Sequence, residues 1–335
     1  MKDIFDKTDH FKERENILSH LLYGNPNDCP NPLVSVIMPV YNRPDTFPAS
    51  LASVLNQQCD FPFEVVVVDN KADVDRTESQ DIVEATGVKN IMYYRNAENI
   101  GMYDNWNRGI WLSRGKYYTY CHDDDILLPG ALQRLIDLQK QIGEKKCIFS
   151  KYNMIDAEDN YIRKYEYPHK KGLLKEQDYY NYTLFDHFVG PIAVGVGCLF
   201  NRECALEIGG YDREYYPCSD IAFQARYTYY YGSVVNNIPT FNYRVSINDS
   251  RNIDVILKIQ EMTCVVRKCI QRKLHFPDLI LNLHTNAMYR LTPWIMTDKF
   301  LVSDKTRLKP YRSYDPSVKK FFMSLSRNKG FSLFK

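Results

Sequence analysis

Asp123, Asp124 and Asp125 stand side by side, directly after the aromatic run Tyr117-Tyr118-Thr119-Tyr120-Cys121-His122. Three adjacent carboxylates repel one another, and a hard divalent cation with oxygen ligands is the simplest way to offset that repulsion. The aromatic run reads as a strand. Behind the cluster, Pro129 and the repeat Leu132, Leu135, Ile136, Leu138 read as a turn and then a helix. Ligands of open α/β sheets sit beyond the carboxyl ends of strands, so this pattern predicts a strand-end metal site. Mg2+ or Mn2+ bridging one or two carboxylates to a diphosphate fits so short a cluster.

The cluster needs a scaffold, and the preceding sequence supplies one. Val34–Val40 is an apolar run of buried-strand length, followed by the turn Asn42-Arg43-Pro44-Asp45. Asp45 or Thr46 can cap a helix whose inward face is Phe47, Leu51, Val54 and Leu55. Glu64–Asn70 carries four consecutive valines, as expected of a parallel strand covered on both faces. Ile91–Tyr94 is a third strand, Asn99-Ile100-Gly101 a turn, and 103–113 a helix with Trp106, Ile110 and Trp111 inward. A helix over 130–142 and a strand over Cys147–Phe149 follow. This alternation predicts a doubly wound α/β layer with a mostly parallel sheet.

Beyond residue 150 the pattern loosens. Gly195–Phe200 is a glycine-broken strand, open to close approach by a ligand or by backbone. Gly209-Gly210-Tyr211-Asp212 is a turn, and Asp220–Tyr231 reads as a helix. Residues 254–273, 277–291 and 315–325 read as helices. The expected organisation is a helical lead-in over 1–31, one catalytic domain over 32–250 and a largely helical extension over 251–335.

The chain has 335 residues, 44% hydrophobic, enough for a sizeable core. Its net charge of +2 is unevenly spread. Residues 251–335 hold 17 basic and 6 acidic residues, a net of +11, which leaves −9 on the first 250. A basic end suits an acidic partner, and an anionic membrane surface fits better here than nucleic acid; a solvated basic tail fits equally well. Nine cysteines without a C-x-x-C pair argue against structural zinc and a disulfide framework. They suit a reducing compartment. The charged start and the lack of any run of about 18 apolar residues predict neither a signal peptide nor a membrane span. A cytoplasmic location is expected, with a peripheral seat on the inner face of the cell membrane as its extension.

Several nucleotide chemistries are excluded. No G-x-G-x-x-G follows the first strand, and no G-x-x-x-x-G-K-[ST] occurs. Asp73-Val74-Asp75-Arg76-Thr77 has the form used by aspartyl phosphatases, but the strand before it ends at Asp69, so the motif does not emerge from a strand.

In this setting the chain resembles the family 2 glycosyltransferases of the GT-A fold. Four features carry the resemblance: Val34–Arg43; Val65–Asn70; Asn99-Ile100-Gly101 with the helix running to Arg114-Gly115; and His122–Pro129. Their order and spacing agree across about residues 33–230. The resemblance implies a nucleotide held by Pro39, Val40, Tyr41 and Arg43, with Asp69 accepting a hydrogen bond from the base, typically uracil. It implies Asp124 as the first metal ligand, with Asp123 near ribose or metal. The family often has Asp where this chain has His122, so Asp123-Asp124-Asp125 satisfies D-x-D in a second register that brings in Asp125. Mg2+ and Mn2+ prefer oxygen, which gives His122 a packing or supporting role.

The family's base is an acidic residue after a Gly-Gly-Tyr/Phe-Asp turn. Here Ser219-Asp220 replaces the usual Glu-Asp pair, so only Asp220 carries over. A sugar hydroxyl is a poor nucleophile, and a positioned carboxylate can take its proton. The Gln-x-x-Arg-Trp motif of processive members is absent: Gln224 and Arg226 are present without the Trp. One sugar per encounter is expected.

The implied activity is a metal-dependent, inverting transfer from a nucleotide-sugar, a UDP-sugar first, to a glycan or lipid-linked acceptor in surface polysaccharide synthesis. Two alternatives remain. One is a sugar-phosphate nucleotidyltransferase, which should show a Gly-rich basic loop after the first strand. The other is a non-catalytic sugar-binding scaffold derived from a transferase. In the extension, Trp294, Phe300, Phe321, Phe322, Phe331 and Phe334 suit a membrane-facing surface or a helical cap over the acceptor site equally.

Overall fold

The computed structural model describes residues 3–165, 178–190, 195–245, 253–280 and 283. Its centre is a sheet of six strands. Four are mutually parallel: β2 (Val34–Val40), β3 (Phe63–Asp69), β4 (Ile91–Asn96) and β5 (Tyr117–Tyr120). The order is β1-β4-β3-β2-β5-β10, with β1 (Ser19–Tyr23) and β10 (Phe200–Asn201) added antiparallel at the two edges. The chain thus steps outward from β2 to β4 and returns to place β5 on the other side of β2. That reversal opens a crevice between the carboxyl ends of β2 and β5, the place where such sheets bind ligands.

Side-chain alternation divides the core in two. Val34, Val36, Met38 and Val40 of β2 face a layer holding α1 (Phe47–Leu55), α2 (Glu78–Thr86) and α4 (Ala131–Ile142). Ile37 of β2 and Tyr118 and Tyr120 of β5 face the opposite layer, with α3 (Met102–Leu112), α6 (Arg202–Glu207) and α7 (Ser219–Tyr231). All seven residues of β2 are buried, as a strand covered on both faces requires.

A second sheet, not foreseen from the sequence, flanks the first. Its long strand β11 (Ser233–Arg244) pairs in parallel with β7 (Cys147–Ile155), and β7 pairs in turn with β8 (Tyr161–Tyr165). On its other side β11 meets β6 (Ile126–Leu127) and β9 (Tyr179–Tyr182). Helix α5 (Leu184–Val189) packs with α7 and α8 (Ile253–Leu274) in a third apolar cluster that also takes in Ile4 and Phe5.

Three expectations are corrected here. The described part of the 1–31 lead-in is not helical: it has short 3-10 turns at His10–Arg14 and Pro26–Asp28 on either side of β1. Asp9 and Asn25 accept hydrogen bonds from backbone N–H groups two residues on, which competes with helix formation. Trp111 points outward and is 61% exposed. It falls off the inward stripe that Trp106 and Ile110 share at i, i+4. The glycine-broken strand shortens to β10, and Gly197 is packed against Thr240 and Phe241, so the close approach there is by protein.

The helices expected at 254–273 and 220–231 are α8 and α7. The one expected at 315–325, the aromatic residues from Trp294 to Phe334 and most of 277–291 lie outside the described residues. Among the described residues no helix is long and apolar enough to cross a membrane.

Candidate active site

The end opposite the crevice shows how the strands are registered. Glu64 is fully buried at the start of β3. Its carboxylate accepts from the Arg114 side chain at 2.5 and 2.9 Å, from the Arg114 N–H at 2.7 Å and from Ser35 Oγ at 2.6 Å. The Arg114-Gly115 pair of the motif therefore locks α3, β2 and β3 together at the sheet's base.

At the carboxyl ends, asparagines do the equivalent work. Asn70 donates to Asn99 Oδ1 at 2.8 Å and accepts from Asn96 Nδ2 and the Ile100 N–H at 3.0 Å each. Asn105 donates to the Val68 carbonyl at 3.1 Å. Every amide here satisfies a buried partner, and together they fix the start of α3 against the ends of β3 and β4. This explains the Asn99-Ile100-Gly101 turn.

The Asp cluster sits in the crevice. Asp123 Oδ2 accepts the Tyr41 N–H at 3.0 Å, across the gap between β5 and β2, and the Asp123 carbonyl accepts from Thr46 Oγ1 at 2.8 Å. Arg43 lies 3.9 Å from the Asp123 carboxylate and 3.6 Å from that of Asp124. Asp125 is fully buried, and its Oδ1 accepts the Arg244 N–H at 3.0 Å. His122 Nδ1 lies 3.6 Å from Asp125 Oδ2. Ligating atoms of His122, Asp124 and Asp125 all lie within 4.8 Å of one another. Among the described residues, buried Asp125 Oδ2 and His122 Nε2 have no hydrogen-bond partner.

Burial dominates the electrostatics. It pushes Asp123 up to about 6, against the pull of the Tyr41 N–H and Arg43. Burial, followed by the charges of Asp125 and Asp123, pushes Asp124 up to about 7. For His122 burial alone acts downward, but Asp125, then Asp124 and Asp123, outweigh it, and the imidazole is raised above its usual value. A crowd of buried carboxylates with orphaned oxygen and nitrogen atoms is short of positive charge. Its donors are mainly oxygen, the ligand class that Mg2+ and Mn2+ take, so the residues present fit such an ion.

The remaining sequence-predicted residues fall around this centre. Pro39 and Val40 are buried within β2, and the Val40 carbonyl accepts from the Asn70 N–H at 3.0 Å. The Tyr41 ring is 54% exposed. Asp69 is buried and accepts from Tyr93 OH at 2.6 Å, Thr77 Oγ1 at 2.8 Å and the Lys71 N–H at 2.9 Å. Thr77 also caps α2. Asp69 and the last residue of the phosphatase-like motif thus organise the loop after β3.

Asp220 is buried in the first turn of α7, whose N-cap Cys218 makes no side-chain cap. A carboxylate there meets the helix dipole. The turn before it is fixed from α3. Asn107 Oδ1 accepts the Tyr211 N–H and Asn107 Nδ2 donates to the Tyr211 carbonyl, both at 2.8 Å. Gly209 and Gly210 have φ of +86° and +73°, and a Cβ on Gly209 would stand 1.8 Å from the Thr8 carbonyl, so no side chain fits.

Trp106 and Tyr103 of α3 link the two carboxylate sites. Trp106 stacks on His122 with centroids 4.9 Å apart and meets Tyr211 edge-on at 5.3 Å. Tyr103 donates to the Pro217 carbonyl at 2.8 Å. Burial, and then the Asp220 charge, push the Tyr103 phenol well above its usual value. Gln224 and Arg226 are buried, and Arg226 donates to the carbonyls of Ile4 and Gly210. Sequence reasoning missed Arg244 and Trp106 as neighbours of the Asp cluster. The signal for Arg244 is the alternation Phe241, Tyr243 beside it, which Asn236, Asn237 and Pro239 obscure as part of a strand.

Comparison with known proteins fits this architecture. The profile described as glycosyl transferase family 2 matches residues 35–209. The chain belongs to that family. It is 30% identical over 139 residues to an uncharacterized glycosyltransferase of Methanocaldococcus jannaschii, covering 40% of this chain and 47% of the relative. It is 28% identical over 206 residues to an uncharacterized protein of Mycobacterium tuberculosis, covering 58% and 61%. The chain thus spans less than two thirds of either relative. Among solved structures, S. aureus TarS in complex with UDP-GlcNAc superposes with a TM-score of 0.52 at 14% identity, covering 88% of this chain and 91% of that one. The mannosyltransferase PcManGT from Pyrobaculum calidifontis, in complex with GDP-Man and Mn2+, gives 0.54 at 16% identity, covering 92% and 90%. The shared fold is GT-A.

Proposed function

We propose that this protein is a metal-dependent, inverting glycosyltransferase that takes a nucleotide-sugar donor in the crevice between β2 and β5. The observation that carries the reading is the buried trio Asp123, Asp124 and Asp125, short of counter-charge at the point where ligands bind. Asp124 and Asp125, with His122 beside them, would hold Mg2+ or Mn2+. The bound ion would supply Lewis-acid stabilisation to the departing diphosphate. Arg43, Tyr41 and the end of β2 at Pro39 and Val40 line the nucleotide side, with Asp123 toward the ribose. Asp69 holds its loop in place through three accepted hydrogen bonds, two of them on Oδ2, and keeps one lone pair on Oδ1 for a base N–H.

Asp220 serves as the base. An acceptor hydroxyl oxygen bonds to the anomeric carbon while the bond from that carbon to the diphosphate breaks, and the hydroxyl proton passes to the Asp220 carboxylate. One base and no protein nucleophile give inversion. The UDP-GlcNAc and GDP-Man complexes of the structural neighbours support a nucleotide-sugar donor, and the Mn2+ of one supports the ion. UDP-sugars are the first choice, with a glycan or lipid-linked acceptor of a surface polysaccharide.

Residues 32–250 form the transferase domain in this reading and 251–335 the basic extension. The exposed Lys258, Lys268 and Arg272 of α8 support a peripheral contact with an anionic membrane.

The test is a thermal-shift screen of UDP, GDP, TDP and CMP and their common sugar conjugates, with and without Mn2+. Ligand binding to the native state raises apparent stability. A Mn2+-dependent rise with one nucleotide family is expected and names the donor class. No rise with any of them rejects the enzyme reading in favour of the scaffold.

A further inference from the structure

We propose that Arg244, the last residue of β11, is a positioning residue for the carboxylate loop. The proposal rests on the transferase reading above and adds a residue that the reading does not contain. Arg244 is 2% exposed. Its Nε donates to the Asp124 carbonyl at 2.8 Å, and its own N–H donates to Asp125 Oδ1 at 3.0 Å. One residue therefore holds the main chain of the first expected ligand and the side chain of the second.

The far side of the guanidinium grips another element. Arg244 Nη1 donates to the carbonyls of Asp156 and Ala157, both at 3.1 Å, and Nη2 lies 2.6 Å from Asp159 Oδ1. These residues form the turn between β7 and β8. Asp156 Oδ1 shapes that turn by accepting the N–H groups of Glu158 at 3.0 Å and Asn160 at 2.9 Å. Asp159 has φ of +66°, a conformation a non-glycine residue holds only when its surroundings over-determine it.

The chemistry needs arginine. A planar guanidinium has donors fixed in a fork, so it can hold the Asp124 carbonyl on one edge and the turn on the other. Lysine has a single ammonium on a flexible stem and cannot span both. With the Asp124 peptide held, the backbone from which both carboxylates spring is fixed, and each carboxylate is left to choose among a few staggered rotamers. Partners that orient ligands typically alter metal affinity about 10- to 100-fold when lost.

The experiment measures Mn2+ binding to the full chain by the signal of free Mn2+, first alone and then with UDP or GDP. Wild type, Arg244→Met, Arg244→Lys and Asp159→Gly are compared at pH 8. Asp159 is largely exposed, and glycine removes its carboxylate while tolerating the left-handed backbone there. Arg244→Met is expected to weaken Mn2+ binding by about 10- to 100-fold. Lysine should recover part of the loss, and Asp159→Gly should show a smaller loss. Nucleotide affinity at saturating Mn2+ should return to within about threefold of wild type, because the nucleotide contacts remain. A purely structural role would lower the melting temperature and leave the Mn2+ constant of Asp159→Gly and Arg244→Lys unchanged; that result overturns the proposal. A wild-type protein that binds neither Mn2+ nor nucleotide overturns the transferase reading, and this proposal with it.

Discussion

Replacing Asp124 with Asn should make the metal-free protein more stable while removing its Mn2+ response. Asp124 has a usual value of 3.8 and is held at about 7 in the fold. A carboxyl raised in the folded state opposes folding once it must ionise. The opposition begins above the unfolded value, grows with pH, and is constant above the folded value. At about 1.4 kcal/mol for each tenfold in acidity, the ceiling at pH 8 is about 4 kcal/mol. The attraction of Arg43 at 3.6 Å is already contained in that value, so it needs no separate subtraction. For a chain of this length, a melting entropy of about 2.1 cal/mol/K per residue converts about 4 kcal/mol into a rise of about 6 °C. At pH 5 less than half of the ceiling is present, and the rise shrinks in proportion. The assay is thermal unfolding of both proteins in EDTA at pH 8 and pH 5, repeated with Mn2+. Wild type should gain about 2.7 kcal/mol at a hundredfold excess of Mn2+ over its Kd, and the variant should gain nothing. A variant that melts at or below wild type at pH 8 refutes the reasoning, because it would show that the ionised Asp124 stabilises the fold.

Asp220→Asn should leave Mn2+-dependent UDP binding within about twofold and lower transfer by about 100- to 10,000-fold, the usual range for a lost general base; near-normal turnover rejects the base. Mn2+ affinity should weaken as pH falls from 8 to 5, since protons compete for Asp124 near 7 and for Asp123 near 6; a flat profile by titration calorimetry rejects these carboxylates as ligands. Glu64→Gln should cost about 3 kcal/mol in urea unfolding by leaving Arg114 and Ser35 poorly paired. It should not change nucleotide affinity, because Glu64 sits at the opposite end of β3 from the crevice; a loss of affinity with unchanged stability contradicts that placement.

The parallel strands were legible because each is a short apolar run ended by a turn. The Asp cluster was legible because repelling charges at a strand end demand an explanation. The second sheet was not. In β11, Asn236, Asn237 and Pro239 interrupt the apolar pattern, and its register against β7 shifts between Asn236 and Phe241. Local sequence describes that irregularity as a loop, and only pairing with β7, β9 and β6 makes it a strand. β1 was hidden for a related reason: it is an edge strand with three exposed residues in the middle, so it lacks a buried-strand signature. Trp111 was misplaced by hydrophobicity, since its type suggested burial and its helical phase did not. For Asp69 the loop-holding partners are invisible in the sequence, because Tyr93 and Thr77 come from a neighbouring strand and a loop.

Helix α3 carries a consequence for building hybrids of such enzymes. Trp106 touches the histidine beside the Asp cluster, while Tyr103, less than a turn earlier, reaches the loop and carboxylate at the start of α7. Asn105 and Asn107 repeat the division, the first anchored to β3 and the second to the Gly-Gly turn. The two halves of the molecule are therefore spaced by a single rigid ruler. A crossover between two family members placed before β4 would join one parent's β3 to the other's ruler, and one placed beyond β5 would join that ruler to a foreign Gly-Gly turn and α7. Either hybrid keeps its spacing only where the partners of Asn105 and Val68, or of Asn107 and Tyr211, match.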